Sequence, residues 1–361
     1  MSNAANPAFG HGHTTPVTVA VDALGGDKAP DVVCAGARAA LEADPFLSLV
    51  LTGHEEVVVP FAQEQPARVT AFSTTEAIGM DEHPATAVKA KRDSSIVVAC
   101  RLVKEGSADA FFSAGSTGAC MAAATLVIGR AKGVSRPAIA AVIPAPAAPV
   151  VLADVGANAD VKPEYLLQFA HMACAYAKAV LNVSEPRCAL LNIGSEEAKG
   201  SALAQEAHLL LARELEGFAG NAEGDDVFSG RFDCIVTDGF TGNILLKAIE
   251  GTAGALFAQL KSVFTSSLSA KLGACLVKSR LSVLKETMSA EKYGGAPLLG
   301  LKAPVVIGHG SSSATAIANG IHATAEMVRA GLAGRVADAI SASELTAPSA
   351  VAAIGGTFSV L

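Results

Sequence analysis

Short apolar runs alternate along the chain with longer segments whose apolar residues recur at helical spacing. The apolar runs end at small or polar residues and predict strands at residues 17–22, 47–51, 108–112, 150–154, 188–193, 232–237 and 305–307. The intervening segments predict helices at residues 30–41, 85–104, 119–129, 163–181, 202–215, 242–264 and 313–332. Strands that alternate with helices are typical of a mostly parallel sheet covered on both faces, so the sequence predicts a three-layer α/β/α fold.

Proline-rich sequence around residues 144–149 predicts a boundary between two α/β lobes. The first lobe is expected to comprise residues 17–150 with 300–340, and the second residues 151–299, with an amphipathic hairpin near 260–290. Residues 1–16 lack an apolar signal-peptide core and predict a disordered leader with a tag-like start. Residues 341–361, rich in Ala, Ser and Gly, predict a flexible tail.

The amino-acid composition argues against several classes of protein. The chain has 361 residues, of which 51% are hydrophobic and 17% charged, so a large core is expected rather than disorder. The net charge of −7 argues against a nucleic-acid partner. The 7 cysteines are scattered and form no C-x-x-C pair, which indicates reduced cysteines in a cytoplasmic protein. Neither a metal nor a cofactor is expected.

Small polar residues follow several of the predicted strands, where open α/β sheets bind ligands. The loop of residues 113–118 is the best candidate for an anion site, because its backbone N–H groups precede a helix; the alternative is a plain capped turn. Gly26 and Asp27 belong to either a phosphate loop or a tight turn, since neither dinucleotide nor P-loop spacing is present. Three strand-ending carboxylates are each either a helix cap or a site residue, namely Asp22, Asp154 and Asp238.

Three further features are candidates for chemistry or binding. Lys89 and Arg92 lie on a basic predicted helix, which is either a solvated face or a site for phosphate or an acidic partner. His309, between two glycines at a strand end, favours a pocket position. The apolar segment 272–277 lies among lysines and predicts either a membrane-surface helix or a core or dimer helix. No G-x-S-x-G motif is present, which argues against a covalent acyl-serine.

An ordered set of motifs, covering about residues 17–330, resembles one family. The matching stretches are residues 20–27, 113–119, 129–130, 136–138, 154–158, 191–196, 199–200, 237–243, 293–295, 300–304 and 309–311. The set is similar to the bacterial phosphate acyltransferase family of phospholipid synthesis, the acyl-acyl-carrier-protein:phosphate transacylases. Two departures from that family are Ser116 and Asp93, where asparagine is common.

The resemblance implies a fold like those of isocitrate dehydrogenase and phosphate acetyltransferase, usually as a homodimer. It implies that acyl carrier protein donates a fatty acyl group to inorganic phosphate, and that a membrane-bound glycerol-3-phosphate acyltransferase consumes the acyl phosphate. It also implies a cytoplasmic protein that touches an anionic membrane surface transiently. The residues of that contact are Leu272, Cys275, Leu276 and Val277.

Residue types suggest roles for the reaction, in which phosphate attacks the thioester carbonyl and the carrier's thiolate leaves. His309 is the candidate acid or base at the leaving sulfur. Phosphate is expected to bind Ser113, Gly115, Ser116, Thr117, Gly118, Lys89 and Arg92. The residues expected to offset charge or to donate to the carbonyl are Lys199, Lys302, Asn192, Asn243 and Asn158. The other expected pocket residues are Asp22, Gly26, Asp27, Asp154 and Asp238.

Three other functions stay open at this point. A phosphate acetyltransferase would use acetyl-coenzyme A for the same chemistry. A nicotinamide-dependent dehydrogenase of the same fold would normally need a carboxylate cluster with a divalent metal, whereas this sequence shows dispersed aspartates. A non-catalytic membrane scaffold would bind lipid without turnover.

Overall fold

A computed structural model describes residues 14–287 and 290–343 of the chain. The expected leader and tail therefore lie outside the described residues, apart from their innermost positions. Thr15 lies against the folded chain, because Arg329 Nε donates a 3.1 Å hydrogen bond to its carbonyl oxygen. Ser341 and Ala342 belong to the last helix.

The described part of the chain contains every predicted strand and helix, together with four strands and a helix at residues 55–64 that the pattern did not predict. The first nine elements are β1 (Val17–Asp22), α1 (Asp31–Ala43), β2 (Leu47–Gly53), α2 (Glu55–Glu64), β3 (Val69–Ser73), α3 (Pro84–Ala90), α4 (Ser95–Lys104), β4 (Ala110–Ser113) and α5 (Thr117–Ala123). A π-helical turn, Ala124–Ile128, extends α5. The chain continues with β5 (Ala138–Ile143), β6 (Val150–Ala153), α6 (Pro163–Ala179), β7 (Cys188–Leu191), α7 (Ala202–Glu214) and β8 (Phe218–Ala222).

The remaining elements include a long helical hairpin. They are β9 (Cys234–Val236), α8 (Gly239–Thr265), α9 (Leu268–Thr287), β10 (Ala296–Leu299), β11 (Val305–Ile307), α10 (Ala314–Arg329) and α11 (Leu332–Ala342). Helices α8 and α9 form the hairpin expected near residues 260–290. No helix among the described residues is both long and apolar enough to cross a membrane.

All the strands of the described residues form one 11-stranded mixed sheet in the order β3-β2-β1-β4-β11-β10-β5-β6-β9-β7-β8. Two core clusters cover it: one includes Leu41, Phe112 and Phe169, and the other includes Ile96 and Phe111. Neighbouring strand residues such as Phe111 and Phe112 point to opposite faces, so the two clusters occupy the two faces of the sheet. The three-layer α/β/α fold is therefore confirmed.

Strand β10 joins two groups of strands that run in opposite directions. Its first half pairs antiparallel with β11, and its second half pairs antiparallel with β5. Strand β5 is in turn antiparallel to β6, which is parallel to β9, as β9 is to β7 and β7 to β8. Strands β6, β9, β7 and β8 therefore run opposite to β1, β2, β3, β4 and β11. Their carboxyl ends meet at the other edge of the sheet.

The helix expected at residues 85–104 is two helices, α3 and α4. Between them the chain forms hydrogen bonds with residues 75 and 76 instead of continuing the helix. Asp93 accepts hydrogen bonds from the N–H and hydroxyl groups of Thr75 at 2.9 and 2.6 Å, and Ser95 N–H donates to Glu76 O at 3.3 Å. Asp and Ser side chains compete in this way with helical bonding. The helix expected to reach residue 332 likewise ends at Arg329, and α11 begins anew after Gly331.

Candidate active site

The sequence-predicted site residues fall into two groups at opposite edges of the sheet. The carboxyl ends of β1, β4 and β11 bring together the loops that follow Asp22, Ser113 and Ile307; we call this the Ser113 edge. The carboxyl ends of β6, β9 and β7 bring together the loops after Ala153, Val236 and Leu191; we call this the Asp154 edge. One protomer therefore does not unite all the candidates in one pocket.

Hydrogen bonds interlock the loops of the Ser113 edge. Gly308 N–H donates to Ser113 O at 2.8 Å, and Asp27 N–H donates to Gly310 O at 2.8 Å. The hydroxyl of Ser113 donates to Asp22 Oδ2 at 2.7 Å. This edge therefore unites the candidates Asp22, Gly26, Asp27, Ser113, Gly115, Ser116, Thr117, Gly118 and His309.

Asp22 is completely buried at the centre of these loops. Its other oxygen accepts a 3.1 Å hydrogen bond from Leu24 N–H. Burial raises the pKa of Asp22 above its ordinary value, although the hydroxyls of Ser95 and Ser113 act in the opposite direction. Because its carboxylate is buried and bonded to Leu24 and Ser113, Asp22 organises the loops of this edge.

The 113–118 loop is both a capped turn and a candidate anion site. Ser113 Oγ accepts from Gly115 N–H at 3.0 Å, and Ser116 caps α5 by accepting from Ala119 N–H at 3.4 Å. The first turn of α5 leaves the N–H groups of Thr117 and Gly118 without intrahelical acceptors. Such groups favour anions, so the cap and the anion site are compatible.

His309 is exposed beside this loop, with its two ring nitrogens in different environments. Its Nδ1 accepts the backbone N–H of Ser311 at 3.2 Å and lies 2.8 Å from Ser311 Oγ. Because Nδ1 accepts a backbone N–H, the proton of the neutral ring lies on Nε2. Nδ1 is therefore occupied by Ser311, and Nε2 is the ring nitrogen that could exchange a proton with a substrate.

The basic candidates of this edge lie on and just after α3. Helix α3 begins against the loop, since a Cβ placed on Gly118 would lie 2.5 Å from Pro84 Cγ. Lys89 and Arg92 are both exposed, whereas Lys91 between them donates to Glu82 at 2.7 Å and to Ala77 O at 2.8 Å. Lys89 and Arg92 therefore remain candidates for an anion, and Lys91 is a structural residue.

Cys120 lies in the first turn of α5, where a helix N-terminus would favour a thiolate. Its side chain is fully buried, and burial raises the pKa of the Cys120 thiol to about 12. A thiol that stays protonated at neutral pH is a poor nucleophile, so direct attack by phosphate fits this site better than an acyl-cysteine.

The Asp154 edge is built around a second buried carboxylate. Asp154 accepts backbone N–H bonds from Ile139, Gly156, Ala157 and Asn158 at 2.7 to 3.2 Å. Burial nevertheless raises the pKa of Asp154. The amide of Asn158 donates both to Asp154 at 2.9 Å and to Pro137 O at 2.8 Å. Both amide hydrogens are thus used, which leaves none for a substrate carbonyl.

Asp238 and Asn192 also have structural partners on this edge. Asp238 caps α8 by accepting from the N–H and hydroxyl of Thr241 at 2.8 and 2.7 Å. Asn192 closes the loop of residues 192–200, because its Nδ2 donates to Lys199 O at 3.0 Å and its Oδ1 accepts from Ile193 N–H at 2.8 Å. Asn243, partly buried in the first turn of α8, is the remaining amide candidate.

Exposed basic residues also lie on the Asp154 edge. Lys199 and Lys302 are exposed there, and Lys302 N–H donates to Gly129 O at 3.0 Å. Arg130, whose guanidinium donates to Ser135 O, and exposed Arg136 lie on the adjoining segment. The sequence pattern alone suggested no role for these two arginines, although both lie in the motifs that carry the resemblance.

The helical hairpin projects exposed apolar side chains. Leu272 is 70% exposed and Leu276 86%, with Val277 at 37%. Cys275 is exposed too, unlike the five buried cysteines. The segment lies between Lys271 and Lys278. It is an amphipathic surface segment rather than a core helix of this protomer.

Comparisons with known proteins agree on one family. The model of a family described as "Fatty acid synthesis protein" matches residues 17–335. The phosphate acyltransferase of Desulfitobacterium hafniense (strain DSM 10664 / DCB-2) is 48% identical over 316 residues, which are 87% of this chain and 94% of that protein. The phosphate acyltransferase of Heliobacterium modesticaldum is 46% identical over 315 residues, which are 86% of this chain and 94% of that protein.

Solved structures share the fold at lower identity. A phosphotransacetylase from Streptococcus pyogenes superposes with a TM-score of 0.56 at 19% identity, covering 90% of this chain and 94% of its own. The EutD phosphotransacetylase from Staphylococcus aureus gives a TM-score of 0.55 at 18% identity, covering 86% of this chain and 94% of its own. At this identity the likeness concerns the fold alone.

Proposed function

The chain belongs to the fatty acid synthesis protein family, as an acyltransferase akin to the phosphate acyltransferases, and we propose that it moves a fatty acyl group from acyl carrier protein to inorganic phosphate. A phosphate oxygen attacks the thioester carbonyl, and the C–S bond of the tetrahedral intermediate then breaks. The sulfur leaves with the bonding electrons and takes a proton, so the products are an acyl phosphate and the free thiol of the carrier.

The Ser113 edge supplies the phosphate site and the acid. The N–H groups of Thr117 and Gly118 hold phosphate, with Lys89 or Arg92 offsetting its charge. The protonated ring of His309 donates its Nε2 proton to the leaving sulfur and becomes a neutral imidazole, whose Nδ1 remains beside Ser311. Proton donation at that atom makes a thiol, rather than a thiolate, the leaving species.

The proposed arrangement of the site rests on one observation: the candidate residues are divided between two edges of the sheet. Lys199, Lys302 and Asn243 lie on the Asp154 edge, opposite His309 in the same protomer. We therefore place them on the carbonyl of a substrate bound at a partner's Ser113 edge, within a homodimer. Exposed apolar residues of the Asp154 edge support a protein partner there: Ile193 is 80% exposed, Phe240 62% and Ile244 54%.

Charge and exposure support two further partners, acyl carrier protein and an anionic membrane. Acyl carrier protein is acidic, so it would meet a basic surface such as Lys89 with Arg92 or the lysines of the hairpin. The exposed leucines and lysines of residues 271–278 suit transient contact with an anionic membrane. There the acyl phosphate would pass to a glycerol-3-phosphate acyltransferase. We accordingly propose that the protein works in the cytoplasm and contacts the membrane surface transiently.

Two measurements test these proposals separately. Purified protein is incubated with palmitoyl-carrier protein and phosphate, and mass spectrometry follows acyl phosphate and freed carrier. Product that depends on phosphate is expected; activity with acetyl-coenzyme A alone would instead indicate an acetyltransferase. If neither donor yields an acyl phosphate, the acyltransferase proposal itself is contradicted.

The shared site is tested by mixing subunits of His309→Ala and Lys199→Ala. If each site combines two protomers, half of the randomly mixed dimers carry one intact site out of two, so about a quarter of the wild-type activity returns. If each protomer works alone, mixing restores nothing beyond the residual activity of the two variants. A monomer in sedimentation analysis would also contradict the shared site.

A further inference from the structure

An apolar cavity opens on the Asp154 edge and has no role in the steps above. It lies between the end of β7, the start of α7 and the first turns of α8, and its volume is about 500 Å³. Cavities that bind small organic ligands typically measure ~300–1,000 Å³. The cavity is therefore large enough for a substrate group.

The lining of this cavity is divided by polarity. Much of it consists of hydrocarbon side chains, among them Leu190, Leu203, Ile244, Leu245 and Ala248. The polar lining residues Asn192, Asp238 and Thr241 stand where their strands and helix meet the edge loops. Asp238 is the sole charged side chain in the lining, and both its oxygens already accept bonds from Thr241. Such a lining suits a hydrocarbon group that carries one polar end.

We infer that this cavity binds the fatty acyl chain of the donor, with the thioester at its polar lining residues. The inference rests on the proposed acyl transfer, because only that reaction supplies a long hydrocarbon attached to a polar reacting group. Lys199 and Asn243, the residues proposed to contact the thioester carbonyl, directly precede the lining residues Gly200 and Ile244 in the chain. An acyl chain in the cavity would therefore bring its carbonyl to the same edge of the sheet.

Binding of an acyl chain in this cavity can be tested by varying the length of the chain. Each methylene that enters the cavity is expected to strengthen binding about fourfold. Carrier-bound donors of increasing length should therefore show a rising kcat/KM until the cavity is full, and a plateau beyond that length. The same chain-length series, measured on a variant with a smaller cavity, locates the chain.

Ala248→Phe adds a bulky ring to the cavity lining from an exposed turn of α8. The readout is the ratio of kcat/KM for a palmitoyl donor to that for a hexanoyl donor, which the variant should lower by tenfold or more. Ala255→Phe is the matched control, since it introduces the same side chain two turns further along α8, outside the cavity lining. It should keep the wild-type ratio.

The outcomes separate this inference from the proposed function. If wild-type protein forms acyl phosphate but Ala248→Phe keeps the wild-type ratio, the chain binds elsewhere and the inference is wrong. If Ala248→Phe dissociates the dimer without changing the ratio, the cavity receives a second copy of the chain instead. If wild-type protein forms no acyl phosphate from either donor, the proposed function fails, and the inference fails with it.

Discussion

The hydroxyl of Ser113 donates a 2.7 Å hydrogen bond to Oδ2 of Asp22, across 91 residues of sequence. The bond joins the end of β4 to the end of β1, and the same hydroxyl also accepts from Gly115 N–H. A movement of the Asp22 side chain would therefore also displace the loop that is proposed to hold phosphate. The protonation state of this carboxyl thus bears on both the stability and the loop geometry.

Asp22→Asn should remove a pH-dependent component of stability. Because burial raises the pKa of Asp22, the native protein keeps a proton that the unfolded chain releases near its own pKa of about 3.9. The free energy of unfolding contributed by Asp22 therefore falls as the pH rises from about 4 through the folded pKa, a fall that the asparagine variant lacks.

Urea unfolding of both proteins at several pH values between 4 and 7 measures this effect. The wild-type value minus the variant value should be largest near pH 4 and decrease toward neutral pH. A difference that is constant over this range would show that Asp22 has the same pKa in the folded and unfolded states.

His309→Ala should lower turnover roughly 100-fold or more if His309 protonates the leaving sulfur. The role is tested with the leaving group: an acyl thioester of a more acidic thiol needs less protonation, so the variant should lose much less activity on it. Equal losses on the two thioesters would assign His309 to positioning, and near-normal turnover would remove it from the mechanism.

The order of strands and helices could largely be predicted, because apolar runs and helical periodicity are local properties of the sequence. Strands β3, β5, β8 and β10 were missed. Strand β10 has only four residues and includes Pro297, and its pairing is shared between β11 and β5. Nothing in four residues signals such a pairing, which depends on segments far away in the sequence.

The residues of the loops could be predicted better than their arrangement. Strand-end polar residues were identified one by one, but strand direction depends on long-range pairing, so the sequence did not show that β6 runs opposite to β1. Local pattern also could not decide between a cap and a site residue at Asp238, where the structure shows a cap on α8.

Gly242→Ala should destabilise the fold strongly. A Cβ at this position in the first turn of α8 would lie 1.9 Å from the carbonyl oxygen of Asp154, and backbone cannot move aside as a side chain can. We expect a loss of about 3 kcal/mol or more in the free energy of unfolding, measured by urea denaturation.

Gly254→Ala in the same helix is the control for Gly242→Ala. No atom lies within 4 Å of the Cβ that it adds, so the higher helix propensity of alanine should stabilise the protein by up to about 1 kcal/mol. Equal effects of the two substitutions would contradict the close contact of α8 with the Asp154 loop.

Leu276→Glu should weaken binding to vesicles that contain anionic lipid. Leu276 is 86% exposed near Lys271 and Lys278, so a membrane would bury its side chain while the lysines meet lipid phosphates. Loss of that burial and addition of a negative charge should lower vesicle affinity tenfold or more in co-sedimentation.

Leu209→Glu is the matched control for the hairpin. Leu209 is 67% exposed on α7, away from the α8–α9 hairpin, so the same substitution there should leave vesicle binding close to that of the wild type. Because the lysines contribute electrostatic attraction, wild-type binding should also weaken as salt is added or anionic lipid is removed. Similar losses in both variants would indicate that net charge, rather than the hairpin, governs the contact.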